Sequence, residues 1–144
     1  MGDPRQRSKK RLSSKKRLKG FTLYLCHNLD YDQLADTLRQ NGIRFKRHRD
    51  HLPGHAKDTE LLRLVGKHRW ILLTFDQKQR TRTLEKQLIQ QFKIRQFVFT
   101  SSQIGNVGEL LAKASRQMRA VCSRNEGPFV YAIMQDGKLR RRNL

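Results

Sequence analysis

The sequence predicts an α/β domain: a mostly parallel central sheet of about five strands with helices on both faces, filling residues 20–144 behind a basic tail at 1–19. Three observations carry this. Short apolar, β-rich runs recur along the chain, and stretches with apolar residues at helical spacing separate them. Gly, Pro, Asn and Asp punctuate the boundaries. The length, 144 residues, suits one sizeable core and is short for two.

Each element follows from its local pattern. Residues 1–19 read as a solvated arm, because 5–19 hold nine Lys and Arg with no acid, in the low-complexity near-repeat Ser8-Lys9-Lys10-Arg11-Leu12 and Ser14-Lys15-Lys16-Arg17-Leu18. Residues 21–25 are apolar and β-rich enough for a buried strand. Asn28 or Asp30 is placed to cap a helix on Tyr31, Leu34, Ala35 and Leu38, which Asn41-Gly42 would end. Residues 43–48 alternate as a second strand with one polar face, and 48–57 form a polar loop around Pro53-Gly54. Asp58 opens a helix through Leu61, Leu62, Leu64 and Val65, expected to stop near Gly66. Residues 70–74 are the most strand-like run of all; 83–92 read as a helix and 96–100 as a fourth strand. A long helix over 107–121 rests on Leu110, Leu111, Ala114 and Met118. Residues 128–134 are the last strand, turned by Asp136-Gly137 and expected to pair antiparallel at an edge.

Charge narrows the function. There are 32 Lys and Arg against 12 Asp and Glu, a formal +20 with a sequence pI near 11.1. Such an excess attracts polyanions, and each neutralised phosphate releases counterions, so nucleic acid is the expected partner, RNA ahead of DNA. Lys138, Arg140, Arg141 and Arg142 repeat the bias at the end of the chain. Cys26 and Cys122 are too few for a disulfide framework or a zinc finger. No apolar run approaches a membrane span of roughly 20 residues, and no secretory signal precedes the domain, so a cytoplasmic setting is expected.

In parallel sheets, functional residues gather beyond the carboxyl ends of the strands. Cys26, His27, Asn28 and Asp30 follow the first strand, Asp76 follows the third, and Asp58 starts a helix that can reach the same rim. Two carboxylates so placed are candidate ligands for Mg²⁺ or Mn²⁺. Taken singly, Asp58 also reads as a helix N-cap and Asp76 as a turn residue. Arg39, Arg44, Lys46, Arg47 and Arg49 make a basic stretch over the second strand; Lys78, Arg80 and Arg82 flank Asp76; Lys15, Lys16 and Arg17 lie in the tail. Arg47, Arg49, Lys78, Arg80, Arg82 and the tail trio are the candidate phosphate contacts, against the plainer reading of a solvated charged face. Among the five histidines, His51 and His55 have Pro53 between them, and no zinc pattern is present. His48, His51, His55 and His68 therefore read as solvated or phosphate-facing, and His27 alone stays at the presumed rim.

The run Trp70-Ile71-Leu72-Leu73-Thr74-Phe75-Asp76 with Arg80, with Asp58 on the preceding helix, resembles the PIN-like domains allied to VapC-type toxin ribonucleases. So do the start Leu23-Tyr24-Leu25-Cys26 and the end Gly127-Pro128-Phe129 with Asp136-Gly137, which extends the resemblance over about 21–139. The resemblance implies a Rossmann-like sheet, clustered acids holding a divalent metal, RNA as substrate, and an antitoxin protein as partner; a homodimer stays open. It also places an aspartate at the end of the first strand, where this chain has Cys26. A thiol is a soft ligand and a poor substitute for oxygen on Mg²⁺. Asp30 is the candidate to compensate, and Glu85 matches an acid that similar sequences carry after Arg80, or else is a helix-surface charge. Three functions stay open: a metal-dependent endoribonuclease of toxin–antitoxin type with a weakened site, a PIN-like module that only binds nucleic acid, and a basic ribosome-associated or architectural protein.

Overall fold

The computed structural model describes residues 21–53, 56–75, 83–100 and 107–143. The strands are β1 (Thr22–Leu25), β2 (Arg44–Arg47), β3 (Ile71–Thr74), β4 (Arg95–Phe99), β5 (Phe129–Ile133) and β6 (Leu139–Arg142). The helices are α1 (Asp32–Gln40), α2 (Asp58–His68), α3 (Thr83–Gln91) and α4 (Val107–Arg124), with 3₁₀ turns at His27–Leu29 and His48–Asp50. The sheet runs β2-β1-β3-β4-β5-β6, parallel except for β6 on β5.

Alternation along the strands divides the core in two. Leu23, Leu25, Ile71, Leu73, Phe97, Phe99, Phe129 and Ile133 point to the face covered by α1 and α4, whose Leu34, Leu38, Leu110, Leu111, Ala114 and Met118 complete that cluster. Tyr24 and Leu72 point the other way, under Leu61, Leu62 and Val65 of α2 and Leu88 and Ile89 of α3. β3 is buried at all four positions, as a central parallel strand should be.

The structure differs from the expectations at three places. The sheet has six strands, and the antiparallel edge is β6; β5 is interior and parallel to β4. The basic end of the chain carries no strand signal in its side chains, which are mostly charged. Its pairing comes from the backbone: Gly137 turns at φ +82, its N–H donates to the Met134 carbonyl at 2.9 Å, and Met134 N–H donates to Lys138 at 2.8 Å. Second, α2 runs through Gly66 to His68 and closes at Arg69 in the left-handed region, φ 56. Gly66 is there for contact with the turn that ends α3, since a Cβ at that position would lie 2.7 Å from Phe92 Cβ. Third, neither Asn28 nor Asp30 caps α1. They fall in or beside the 3₁₀ turn, Tyr31 is the N-cap residue, and Asp32 supplies the acid of the first turn. No helix among the described residues is long and apolar enough to cross a membrane.

Candidate functional site

The chain leaves β1 through α1 toward β2 on one side, and leaves β3 through α3 toward β4 on the other. Such a reversal is where open parallel sheets form their crevice, here the carboxyl ends of β1 and β3. Cys26 lies at that end of β1. Its N–H donates to the Leu73 carbonyl at 3.2 Å, continuing the β1–β3 ladder by one residue, and its own carbonyl accepts from Leu29 N–H at 2.9 Å. Burial pushes the Cys26 thiol above its ordinary value; the nearby backbone N–H groups of Asn28, Phe75 and Leu29 oppose this, and the charge of Asp58 adds to it. Positions 26, 58 and 75 therefore share one electrostatic neighbourhood, although 49 residues separate the first from the last in sequence.

Asp58 is the first residue of α2 and half-buried; Lys57 is the N-cap, so Asp58 acts on the helix dipole and is not a cap. Glu85 is in the first turn of α3, half-buried. Asp76, Lys78, Arg80 and Arg82, and Lys15, Lys16 and Arg17 in the tail, lie outside the described residues, as does His55. Thr74, the last residue of β3, accepts from Gln96 Nε2 at 2.9 Å between two buried side chains.

Asp30, the residue expected to compensate for Cys26, is held by two arginines. Its side chain is 5% exposed. Arg47 Nε donates to one carboxylate oxygen at 2.6 Å; the backbone N–H and Nε of Arg49 donate to the other at 2.8 and 3.2 Å. Arg47 also reaches Asp32 at 2.9 Å, and Arg49 donates to the Asp30 carbonyl at 2.9 Å. Burial works to raise the Asp30 pKa, but the Arg47 and Arg49 hydrogen bonds outweigh it and hold the carboxyl below its ordinary value. The same contacts raise Arg47. Nothing in the sequence advertised this pairing, because it forms only when β2 lies against β1.

His48 is a further correction. The side chain expected in a solvated loop is 4% exposed. Its Nδ1 is 2.9 Å from the Tyr24 hydroxyl and its Nε2 is 3.1 Å from the Pro53 carbonyl. A carbonyl only accepts, so Nε2 carries a proton, and in the neutral ring Nδ1 accepts from Tyr24. Burial, then the charges of Asp30 and Cys26, push the Tyr24 phenol up to about 12.

Residues 26–101 match the family model described as PIN like domain. The match covers more than half of the chain and runs from Cys26 at the crevice through β4. The chain belongs to the PIN-like domain family. No curated protein matches, and no solved structure does. The six-stranded, mostly parallel sheet fits the Rossmann-like fold of such a domain, and the family makes this a nuclease-type domain related to nucleic acid.

Asp58 and Glu85 are the described carboxylates of this PIN-like site that remain candidates for a hard divalent ion. Position 26 offers a thiol in place of oxygen. Both Asp30 oxygens are taken up by arginine donors. Among the described residues no three His, Cys, Asp or Glu side chains are gathered to hold a metal.

Proposed function

We propose that this PIN-like domain binds RNA in preference to DNA, and that its nuclease site is weakened, leaving at most slow Mg²⁺- or Mn²⁺-dependent cleavage. The observation that carries this reading is the Cys26 thiol at the end of β1, within the electrostatic reach of Asp58 and against the Phe75 backbone. The formal +20 supports the binding half. The test is a metal titration and an RNA cleavage assay on the native chain and three variants. Cys26→Asp is expected to tighten Mn²⁺ binding at least about tenfold and to accelerate cleavage, since it restores an oxygen ligand. Asp58→Asn and Asp76→Asn are expected to abolish whatever cleavage the native chain shows. Cleavage unchanged in both Asn variants would assign the chemistry elsewhere.

A second reading, a module that binds without cleaving, is favoured by the arginine-saturated Asp30. It is distinguished by RNA binding with no cleavage in the native chain and none restored by Cys26→Asp. The toxin–antitoxin setting belongs to the first reading, with an antitoxin protein as partner.

A further inference from the structure

The sheet face under α2 carries a line of stacked rings that the crevice does not use. Trp70, just ahead of β3, lies parallel to His68 with centroids 4.3 Å apart and parallel to Tyr24 at 5.7 Å. His51 meets Trp70 edge-on at 5.1 Å and Tyr24 at 5.9 Å, and its Nδ1 donates to the Arg47 carbonyl at 2.9 Å, which fixes the ring. Lys46 Nζ lies 5.9 Å from the Trp70 centroid. Tyr24 is fully buried and Trp70 half-buried, while His51 and His68 are exposed. The stack thus runs from Tyr24 in the core through Trp70 to the exposed His68, with the exposed His51 ring set edge-on beside it.

Next to it, the edge strand β2 borders an open groove of about 530 Å³ lined by Arg39, Arg44, Phe45, Lys46 and His51 among others, with Asp50 the one carboxylate in its wall. Register pairs Lys46 with Tyr24, so Lys46 and Arg44 project on the same face as the rings. Cations along a groove suit any polyanion, but flat rings beside them select among polyanions. Unpaired nucleobases offer π faces, and base–aromatic stacking tolerates any sequence. Bases in a duplex are already stacked, and acidic peptides have no such faces.

We infer that the exposed His68 end of the Trp70 stack, with the His51 ring beside it, is a stacking subsite for unpaired bases of a single-stranded nucleic acid whose phosphates follow the β2 groove. The inference rests on the RNA-binding reading above and deepens it.

Trp70 is the one tryptophan of the chain, so its emission reports on the stack. The full chain is titrated with labelled oligoadenylate RNA, following anisotropy and Trp70 emission together at fixed ionic strength. Emission is expected to fall at the same midpoint at which anisotropy rises. An abasic oligonucleotide of equal phosphate count is expected to bind without that change, as is the same RNA annealed to its complement. Replacing both exposed rings, His51→Ala with His68→Ala, is expected to weaken oligoadenylate binding at least about fivefold more than it weakens abasic binding, since His51 also borders the groove. RNA binding with unchanged emission and no effect of the double variant would overturn the subsite and leave the RNA-binding reading standing. Equal quenching by the abasic oligonucleotide or by polyglutamate would also overturn it, the latter in favour of an acidic protein partner. Absence of RNA binding by anisotropy would overturn both.

Discussion

A carboxylate whose two oxygens both accept from arginine donors contributes to stability in a way that pH can isolate. Asp30 has a pKa held below its ordinary value of 3.8. Its contribution is fully present above the unfolded value, near pH 4, and is lost as pH falls through the lower folded value. Asp30→Asn leaves Arg47, 14% exposed, without its main counter-charge. We expect a loss of about 2 kcal/mol at pH 7 in urea unfolding, with the gap to the native chain closing as pH falls below about 4. A gap constant down to pH 2 would show that the charge of Asp30 does not matter. The same contacts constrain function, since Arg47 and Arg49, expected on phosphate, spend donors on Asp30 before they meet any ligand. Cys26 is the complementary case. Its backbone continues the β1–β3 ladder, so a substitution there changes the chemistry at the rim while the sheet that presents it is kept.

At the scale of elements, the sheet face behind the crevice is set by the packing of α2 on α3. Gly66 allows it, because the α3 end of the contact brings Phe92 Cβ to where an alanine methyl would sit, 2.7 Å away. Ala is the better helix former by about 1 kcal/mol, so Gly66→Ala would stabilise an isolated helix. Here the clash reverses the sign: we expect a net loss of about 1–2 kcal/mol in the urea midpoint, from overpacking that pushes α2 and α3 apart. β6 is the opposite kind of element, with little apolar content and its stability in the ladder to β5. Its exposed arginines keep that edge from pairing with other chains, a usual device for edge strands.

For the whole molecule, the governing quantity is charge. RNA affinity is expected to fall steeply and linearly in a log–log plot against salt. Removal of residues 1–19 takes away nine of the 32 cations in the run 5–19, and we expect the slope to decrease by roughly a quarter while binding persists. A truncated chain with the native slope would place the phosphate contacts wholly on the folded domain; a chain that no longer binds would place them wholly on the tail.

The sequence alone determined the α/β class, the chain order of the first five strands and four helices, and the cationic character. These follow from local signals: apolar period, turn residues and composition act over a few positions. The resemblance over the Leu-Leu-Thr-Phe-Asp run at 72–76 named the family for the same reason, as a short pattern tied to one βαβ order. Tertiary structure alone decided that Asp30 is held by Arg47 and Arg49, that His48 is buried against Tyr24, that the rings of His68, Trp70 and Tyr24 form one stack with His51 edge-on beside it, and that the basic end is a strand. Each of these joins residues brought together by strand pairing or by packing on the sheet. A charged or imidazole side chain looks the same in sequence whether it faces water or a partner, and only the fold supplies the partner.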